Sequence, residues 1–241
     1  MTTNLYLAMT AAEIRSAVSL PSRPAWMACH FSPYSTGLSN LPEALPEGSL
    51  LMLNDVTPIR GHDPHTVRDQ LFYTLERHRC HALVLDFQRH PSPETQVLAQ
   101  YLTQAPPCPV AVSAPFAEEL SCPVLLPPCP AHSSLEEYTA VWKGRDIWLE
   151  LSLEGEILTL TEQGCTAASL PYPDPNREGF FDQKLHCHYT MEADEKAARF
   201  TLWRTLEDIK QLLEEAETLG VTAAVGLFQE LSLTTDLQKN V

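Results

Sequence analysis

The feature that most constrains the fold is a short apolar run that ends in polar side chains, residues 82–89, ALVLDFQR. A helical pattern precedes this run, and residues 91–94, PSPE, are typical of a helix start. A continuous apolar strand between two helices is typical of a parallel sheet that is buried on both faces. Polar residues at the carboxyl ends of such strands face the ligand site. We therefore expect Asp86 and Gln88 to lie where an α/β protein keeps its chemistry.

The same alternation of apolar runs and helix signals extends along most of the chain. Strands are predicted near residues 28, 53, 85, 112, 125, 148, 187 and 225. About eight strands, several joined by helices, predict an α/β fold, namely a (β/α)8 TIM-barrel-like single domain over residues 1–241. We expect some helices to be missing and a β-hairpin to be added at residues 151–160, where apolar residues alternate around Gly155. An open α/β sheet with an antiparallel extension is the alternative.

Charge and cysteine content exclude several classes of function. The 241 residues carry a formal net charge of −15, which repels phosphate groups, so we predict neither nucleic acid nor an anionic membrane as a partner. No apolar run reaches membrane-spanning length, and the first residues, MTTNL, lack the features of a signal peptide. Seven scattered cysteines without a C-x-x-C pair indicate free thiols, which favours a cytoplasmic location. The sequence leaves the oligomeric state open.

If the strands close into a barrel, their carboxyl ends gather polar side chains around one mouth. Glycoside hydrolysis needs a protonated acid and an ionised nucleophile or base, and four carboxylates are candidates for these roles: Asp86, Asp55, Glu230 and Glu150. Side chains that can form hydrogen bonds with a ligand or stack on it are candidates for substrate binding: Gln88, Tyr34, His30, His188, Tyr189 and Gln229. The alternative for each carboxylate is a structural role in capping backbone N–H groups.

Other chemistries have weaker support in the sequence. His186 and His188 would place both rings on the same face of one strand, and Asp86 or Asp55 would complete a metal site there. H-x-H alone is not specific, so we predict no metal, although a metal-dependent hydrolase is retained as an alternative. The chain has no G-x-S-x-G, G-x-G-x-x-G or P-loop pattern, so neither a serine nucleophile nor a nucleotide cofactor is indicated. We predict that the protein uses no cofactor.

Residues 83–88, LVLDFQ, resemble the strand that carries the catalytic D-x-E in glycoside hydrolase family 18, the chitinase-like TIM-barrel proteins. In that family the Glu is the proton donor and the Asp positions the acetamido group of the substrate. Asp86 matches this Asp, whereas Gln88 occupies the position of the Glu and cannot donate a proton as a carboxylic acid does. The longer D-x-x-D-x-D-x-E pattern is absent, because the residues before Asp86 are apolar.

The resemblance implies a glycoside hydrolase-like protein that acts on or binds a carbohydrate. With Gln88 in the position of the proton donor, the chain is either a binding-only relative or an enzyme that uses another carboxylate. The competing hypothesis is a non-catalytic interaction protein that keeps the barrel as a scaffold.

Overall fold

The computed structural model describes residues 3–171 and 173–232. Its main sheet contains eight parallel strands that pair in chain order, and the first strand also pairs with the last, so that the sheet closes into a barrel. The barrel strands are β1 (Asn4–Met9), β2 (Pro24–Phe31), β4 (Leu50–Asn54), β5 (Ala82–Asp86), β6 (Val110–Ser113), β7 (Val124–Leu126), β8 (Ile147–Leu151) and β14 (Val221–Leu227). A two-residue strand, β3 (Leu38–Ser39), pairs with β2 in the antiparallel direction. The predicted TIM-barrel-like α/β fold is confirmed.

Six of the seven helices of the described residues lie in the connections between strands, and the seventh follows β14. They are α1 (Ala11–Ser16), α2 (Pro64–His78), α3 (Pro93–Leu102), α4 (Ala114–Ala117), α5 (Leu135–Ala140), α6 (Leu206–Thr218) and α7 (Phe228–Leu231). The Asp63 side chain and the Ser92 hydroxyl accept hydrogen bonds from free backbone N–H groups in the first turns of α2 and α3. A proline, which has no N–H group to satisfy, follows each of these residues. Several helices are only four to six residues long. None of the helices in the described ranges is long and apolar enough to cross a membrane.

The barrel strands are buried on both of their faces. On the outside, Leu83 and Leu85 of β5 pack in a core that includes Val67, Leu71 and Leu98 of the covering helices. On the inside, a second core fills the barrel with side chains that include Tyr6, Met52, Val84 and Trp148. Burial on two faces explains why these strands have continuous apolar sequences.

A second sheet of five antiparallel strands is inserted between β8 and α6. It consists of β9 (Gly155–Thr161), β10 (Gly164–Leu170), β11 (Phe180–Asp182), β12 (Cys187–Ala193) and β13 (Ala197–Trp203), in the order β10-β9-β13-β12-β11. We call it the inserted sheet.

A hairpin was predicted at the start of the inserted sheet, but its predicted turn at Gly155 was wrong, because β9 and β10 turn at residues 162–163. A Cβ atom on Gly155 would lie 2.5 Å from the Leu202 carbonyl oxygen, so this glycine permits a close approach to β13.

Two details of the predicted strand count were wrong. The first barrel strand, β1, was not predicted, although its sequence NLYLAM is a short apolar run. The strand near residue 187 is not a barrel strand, because β12 pairs antiparallel with β11 and β13 in the inserted sheet. As a consequence, His188 and Tyr189 do not lie at the carboxyl end of a barrel strand.

Candidate functional site

Two carboxyl groups lie inside the carboxyl end of the barrel, close enough for their charges to interact. Asp86 is the last residue of β5, and Glu150 is the penultimate residue of β8. Each lies two residues after an inward-facing residue, Val84 or Trp148, so both side chains point into the barrel. The sequence analysis named both as candidates but could not pair them, because β6 and β7 separate their strands in the sheet.

Burial perturbs both carboxyl groups. It is the main cause that raises the pKa of Glu150 to about 8, and the nearby charge of Asp86 raises it further. Burial also raises the pKa of Asp86, while a hydrogen bond from Gln88 opposes this rise. Glu150 is therefore a carboxylic acid that keeps its proton at neutral pH.

Gln88 extends over Asp86 at the mouth of the barrel. Its Nε2 atom donates a hydrogen bond to Asp86 Oδ1 at 3.2 Å, and the residue is exposed. An amide offers both a donor and an acceptor to a ligand. Asp86 and Gln88 therefore form one polar surface, which is charged at its base and neutral at its tip.

Asp55 stabilises the segment that carries Gln88. Its buried carboxylate accepts the backbone N–H groups of Gln88 at 2.9 Å and of Arg89 at 3.0 Å, one on each oxygen. The Arg89 Nε atom donates to the Asp55 carbonyl oxygen at 2.7 Å, and the Ser113 hydroxyl accepts the Phe87 N–H at 3.0 Å. Asp55 thus has the backbone-capping role that was the alternative to catalysis, and it acts on the site by positioning residues 87–89.

A cavity of about 430 Å³ opens over the ends of β2, β4 and β5. This is a size typical of small-molecule sites. Its lining residues are Met27, Asn54, Asp55, Val56, Asp86, Gln88 and Arg89. Five of these seven residues are polar and none is aromatic, so hydrogen bonds rather than ring stacking would orient a ligand.

The cavity also includes residues that the sequence analysis did not name. Met27 lies in β2 next to an irregularity in the pairing with β4, between Trp26 and Cys29, and no sequence signal marks such an irregularity. Arg89 directly follows the Asp86 to Gln88 segment, so its position was a usable signal.

Gln229 and Glu230 line a different and larger cavity of about 650 Å³, which lies among α6, the end of β14 and the loops next to the inserted sheet. Glu230 Oε2 accepts hydrogen bonds from the Leu153 N–H at 2.8 Å and from the Ser152 hydroxyl at 3.2 Å. This cavity shares no lining residue with the smaller one and contains neither member of the coupled carboxyl pair. Of these two cavities, only the smaller one has a buried carboxyl group with a raised pKa in its wall, and we therefore place the candidate site there.

The remaining predicted residues are dispersed. His30 is near the end of β2, where its Nδ1 atom lies 3.1 Å from the Ala28 carbonyl oxygen, and Tyr34 is exposed in the following loop. In the inserted sheet, His188 stacks on Trp203 with 5.7 Å between ring centroids, and Tyr189 packs against Phe180. None of these four residues lines the smaller cavity.

The two histidines considered for a metal site interact with separate carboxylates of α6. His186 Nε2 lies 2.7 Å from Glu215 Oε2, and His188 Nε2 lies 3.4 Å from Asp208 Oδ2. Within residues 3–171 and 173–232, no group of three or more His, Cys, Asp or Glu side chains is arranged to hold a metal ion.

Chitinases and chitinase-like proteins of known structure have the same fold as this chain. A chitinase from Chromobacterium violaceum superimposes with a TM-score of 0.61 at 10% sequence identity, over 100% of both chains. A family 18 chitinase from Cycas revoluta, in complex with (GlcNAc)3, gives 0.58 at 11% identity over 98% of this chain and 97% of that chain. A chitinase-like agglutinin from Robinia pseudoacacia gives 0.57 at 10% identity over 97% of this chain and 98% of that chain.

No protein-family model and no curated protein matches the sequence. At identities near 10%, the structural comparison establishes the fold alone. The predicted resemblance to chitinase-like TIM-barrel proteins is confirmed at the level of the fold, whereas the match of residues 83–88 to the family motif stays a prediction.

Proposed function

We propose that the barrel mouth binds a carbohydrate without hydrolysing it. The observation that carries this proposal is the hydrogen bond between Gln88 and Asp86 at the wall of the 430 Å³ cavity. An amide stands where the family 18 motif has its proton donor, and an amide has no acidic proton to transfer. The segment therefore keeps the groups that bind a sugar and lacks the group that would cleave its glycosidic bond.

The ligand that we propose is an oligosaccharide of N-acetylglucosamine. The Cycas chitinase holds (GlcNAc)3, and the Robinia protein is an agglutinin related to chitinases, which supports a saccharide ligand on this fold. In the proposed complex, Asp86 accepts the N–H of an acetamido group, and Gln88 exchanges hydrogen bonds with sugar hydroxyls. Because no aromatic ring lines the cavity, we expect a dissociation constant on the order of 1 mM.

A second candidate function is hydrolysis with Glu150 as the general acid. It is favoured by the pKa of about 8, which keeps this carboxyl group protonated at neutral pH, and by Asp86 as a neighbouring second carboxyl group. Glu150 does not line the cavity, however, so a sugar at the mouth meets Asp86 and Gln88 first.

Titration calorimetry and an aryl-glycoside assay on four proteins test these functions together. The proteins are the wild type, Asp86→Asn, Gln88→Glu and Glu150→Gln, each checked for folding by circular dichroism. We expect the wild type to bind chito-oligosaccharides without turnover and to bind cello-oligosaccharides, which lack acetamido groups, more weakly. Asp86→Asn should weaken binding about tenfold, because a neutral amide replaces a charged acceptor.

The variants at the other two positions separate binding from catalysis. Gln88→Glu restores the D-x-E pattern and is the one variant in which turnover is expected. Turnover by the wild type that Glu150→Gln abolishes would establish the hydrolase instead. A folded wild type that neither binds nor cleaves any saccharide would overturn both functions.

A further inference from the structure

Strand β10 is an open edge of the inserted sheet. Its seven residues, Gly164–Leu170, pair with β9 on one side, and no strand of the described residues lies on the other side. Residues 164–169 are all exposed, so neither face of the strand is covered. An edge of this kind presents unpaired N–H and C=O groups that can pair with another strand.

The features that usually protect such an edge are absent from β10. Its sequence, GCTAASL, contains no charged residue and no proline, and its pairing with β9 runs from Gly164 to Leu170 without a bulge. The opposite edge of the same sheet, β11, is protected, because it is only three residues long and ends in Asp182. Each of the other four strands of the inserted sheet contains a charged residue, so β10 is the neutral strand of this sheet.

The turn geometry determines which backbone groups of β10 point outward. Thr161 and Gly164 flank a two-residue turn, so they form a hydrogen-bonded pair, and hydrogen-bonded pairs then alternate along the hairpin. Gly164, Thr166, Ala168 and Leu170 therefore direct their N–H and C=O groups toward β9. The other three residues, Cys165, Ala167 and Ser169, direct theirs outward.

We propose that β10 pairs in the antiparallel direction with β10 of a second copy of this chain, around a two-fold axis at Ala167. In that register each outward-directed residue of one copy lies opposite an outward-directed residue of the other. Ala167 faces Ala167 of the second copy, and Cys165 faces Ser169 of the second copy. The seam contains about six backbone hydrogen bonds and joins the two inserted sheets into one. Small uncharged side chains let two strongly negative chains approach along this strand, which is why a second copy fits this edge.

An engineered disulfide tests both the contact and its register. Ser169→Cys places a thiol opposite Cys165 of the second copy, so mild oxidation should give a covalent dimer that a reductant separates. Within one chain, the two positions are roughly 13 Å apart along the strand, which is too far for a disulfide. The double variant Cys165→Ser/Ser169→Cys keeps one thiol on β10 and should give no such dimer.

Light scattering coupled to size-exclusion chromatography tests the dimer without cross-linking. The wild type should reach twice the 26.9 kDa mass of the chain as concentration rises. Ala167→Pro removes an outward N–H and leaves the bonds to β9 in place, so the dimer dissociation constant should rise about tenfold or more. Ala167→Lys places two like charges at the axis and should have a similar effect.

Ala193→Lys makes the same change at an exposed position of β12 and is the matched control, for which we expect an unchanged dimer. A wild type that stays monomeric at its highest soluble concentration would overturn the proposal. A dimer that survives Ala167→Lys would also overturn it, because its contact would lie elsewhere. Neither result depends on whether the barrel mouth binds a sugar.

Discussion

The barrel and the inserted sheet are both built from short strands, but different forces hold them together. Leu83 and Leu85 in the barrel are fully buried beneath helices, and the opposite face of the same strand is buried inside the barrel. The inserted sheet has a small buried cluster, in which Cys187 and Leu202 pack with Ala131 of the loop before α5. At its far end, Leu160, Met191 and Phe180 are 43%, 57% and 68% exposed. The barrel thus depends on burial at two faces, whereas the inserted sheet depends more on its hydrogen-bonded ladder.

The carboxyl groups of the two regions differ in the same way. Burial raises the pKa of Asp86 and Glu150 inside the barrel. In the turn between β12 and β13, backbone hydrogen bonds from Lys196 and Ala197 lower the pKa of the exposed Asp194. Desolvation is therefore the main cause of the raised pKa values of the two carboxyl groups in the barrel, whereas local hydrogen bonds lower the pKa of Asp194 in the inserted sheet.

The largest expected contrast comes from removing one leucine side chain in each region. Leu85→Ala leaves a cavity in a fully buried core and should lower the free energy of unfolding by about 3–5 kcal/mol. Leu160→Ala removes a side chain that is 43% exposed and should cost less than about 1 kcal/mol. Urea unfolding followed by circular dichroism measures both values. Equal losses would show that the inserted sheet has a core as well packed as that of the barrel.

A pH series on Glu150→Gln sharpens the contrast between the carboxyl groups. The pKa of Glu150 rises from an ordinary value of 4.5 to about 8 on folding, so the folded protein binds more protons than the unfolded chain between these two values. Wild-type stability should therefore fall as pH rises through this window and level off above it. The variant should lose this slope and be more stable than the wild type at pH 8 by up to about 4 kcal/mol.

Glu192→Gln removes one charge from the exposed part of the inserted sheet and is the control for that experiment. If the slope between pH 4.5 and pH 8 persists in Glu150→Gln, another group is responsible for it.

The smallest of the three contrasts uses two aspartates that make the same kind of contact. Asp55 accepts two successive backbone N–H groups, those of Gln88 and Arg89, in a buried position, and Asp194 accepts those of Lys196 and Ala197 in an exposed one. Asp55→Ala leaves two part-buried N–H groups without their acceptor and should cost about 2 kcal/mol. Asp194→Ala should cost less, because water replaces the carboxylate. Thermal unfolding of both variants tests the order, and a reversed order would refute this account.

The parts of the fold that the sequence predicts are those in which local pattern and burial agree. The strand at residues 82–86 and the start of α3 were predicted, because an apolar run and an N-cap followed by proline are local signals. β1 was missed, because a single short apolar run without a following long helix has little contrast with its surroundings. β12 was assigned to the barrel because its sequence does not reveal which strands it pairs with. In the structure it pairs antiparallel with β13, the next strand along the chain.

The site was predictable only in part, for a similar reason. Asp86 and Gln88 lie two residues apart on one strand, so their shared surface follows from the alternation of side chains. The coupling of Asp86 to Glu150 depends on the curvature that brings β5 and β8 to the same interior, and no local signal encodes it. The capping role of Asp55 depends on residues 88 and 89, which follow the neighbouring strand β5. The sequence around Asp55 does not reveal this contact, so it was equally compatible with a catalytic role.

The closure of the barrel by β1 also sets an order of events during synthesis. β1 can pair with β2 early, but its other edge must wait for β14, and the hydrogen bond from Thr3 to Val221 joins residues that are 218 positions apart. At about 5–20 residues per second, a ribosome needs roughly 10–40 s to make that stretch. The ring cannot close before β14 emerges, so until then the apolar side chains that fill the barrel lack part of their packing partners and are accessible to chaperones.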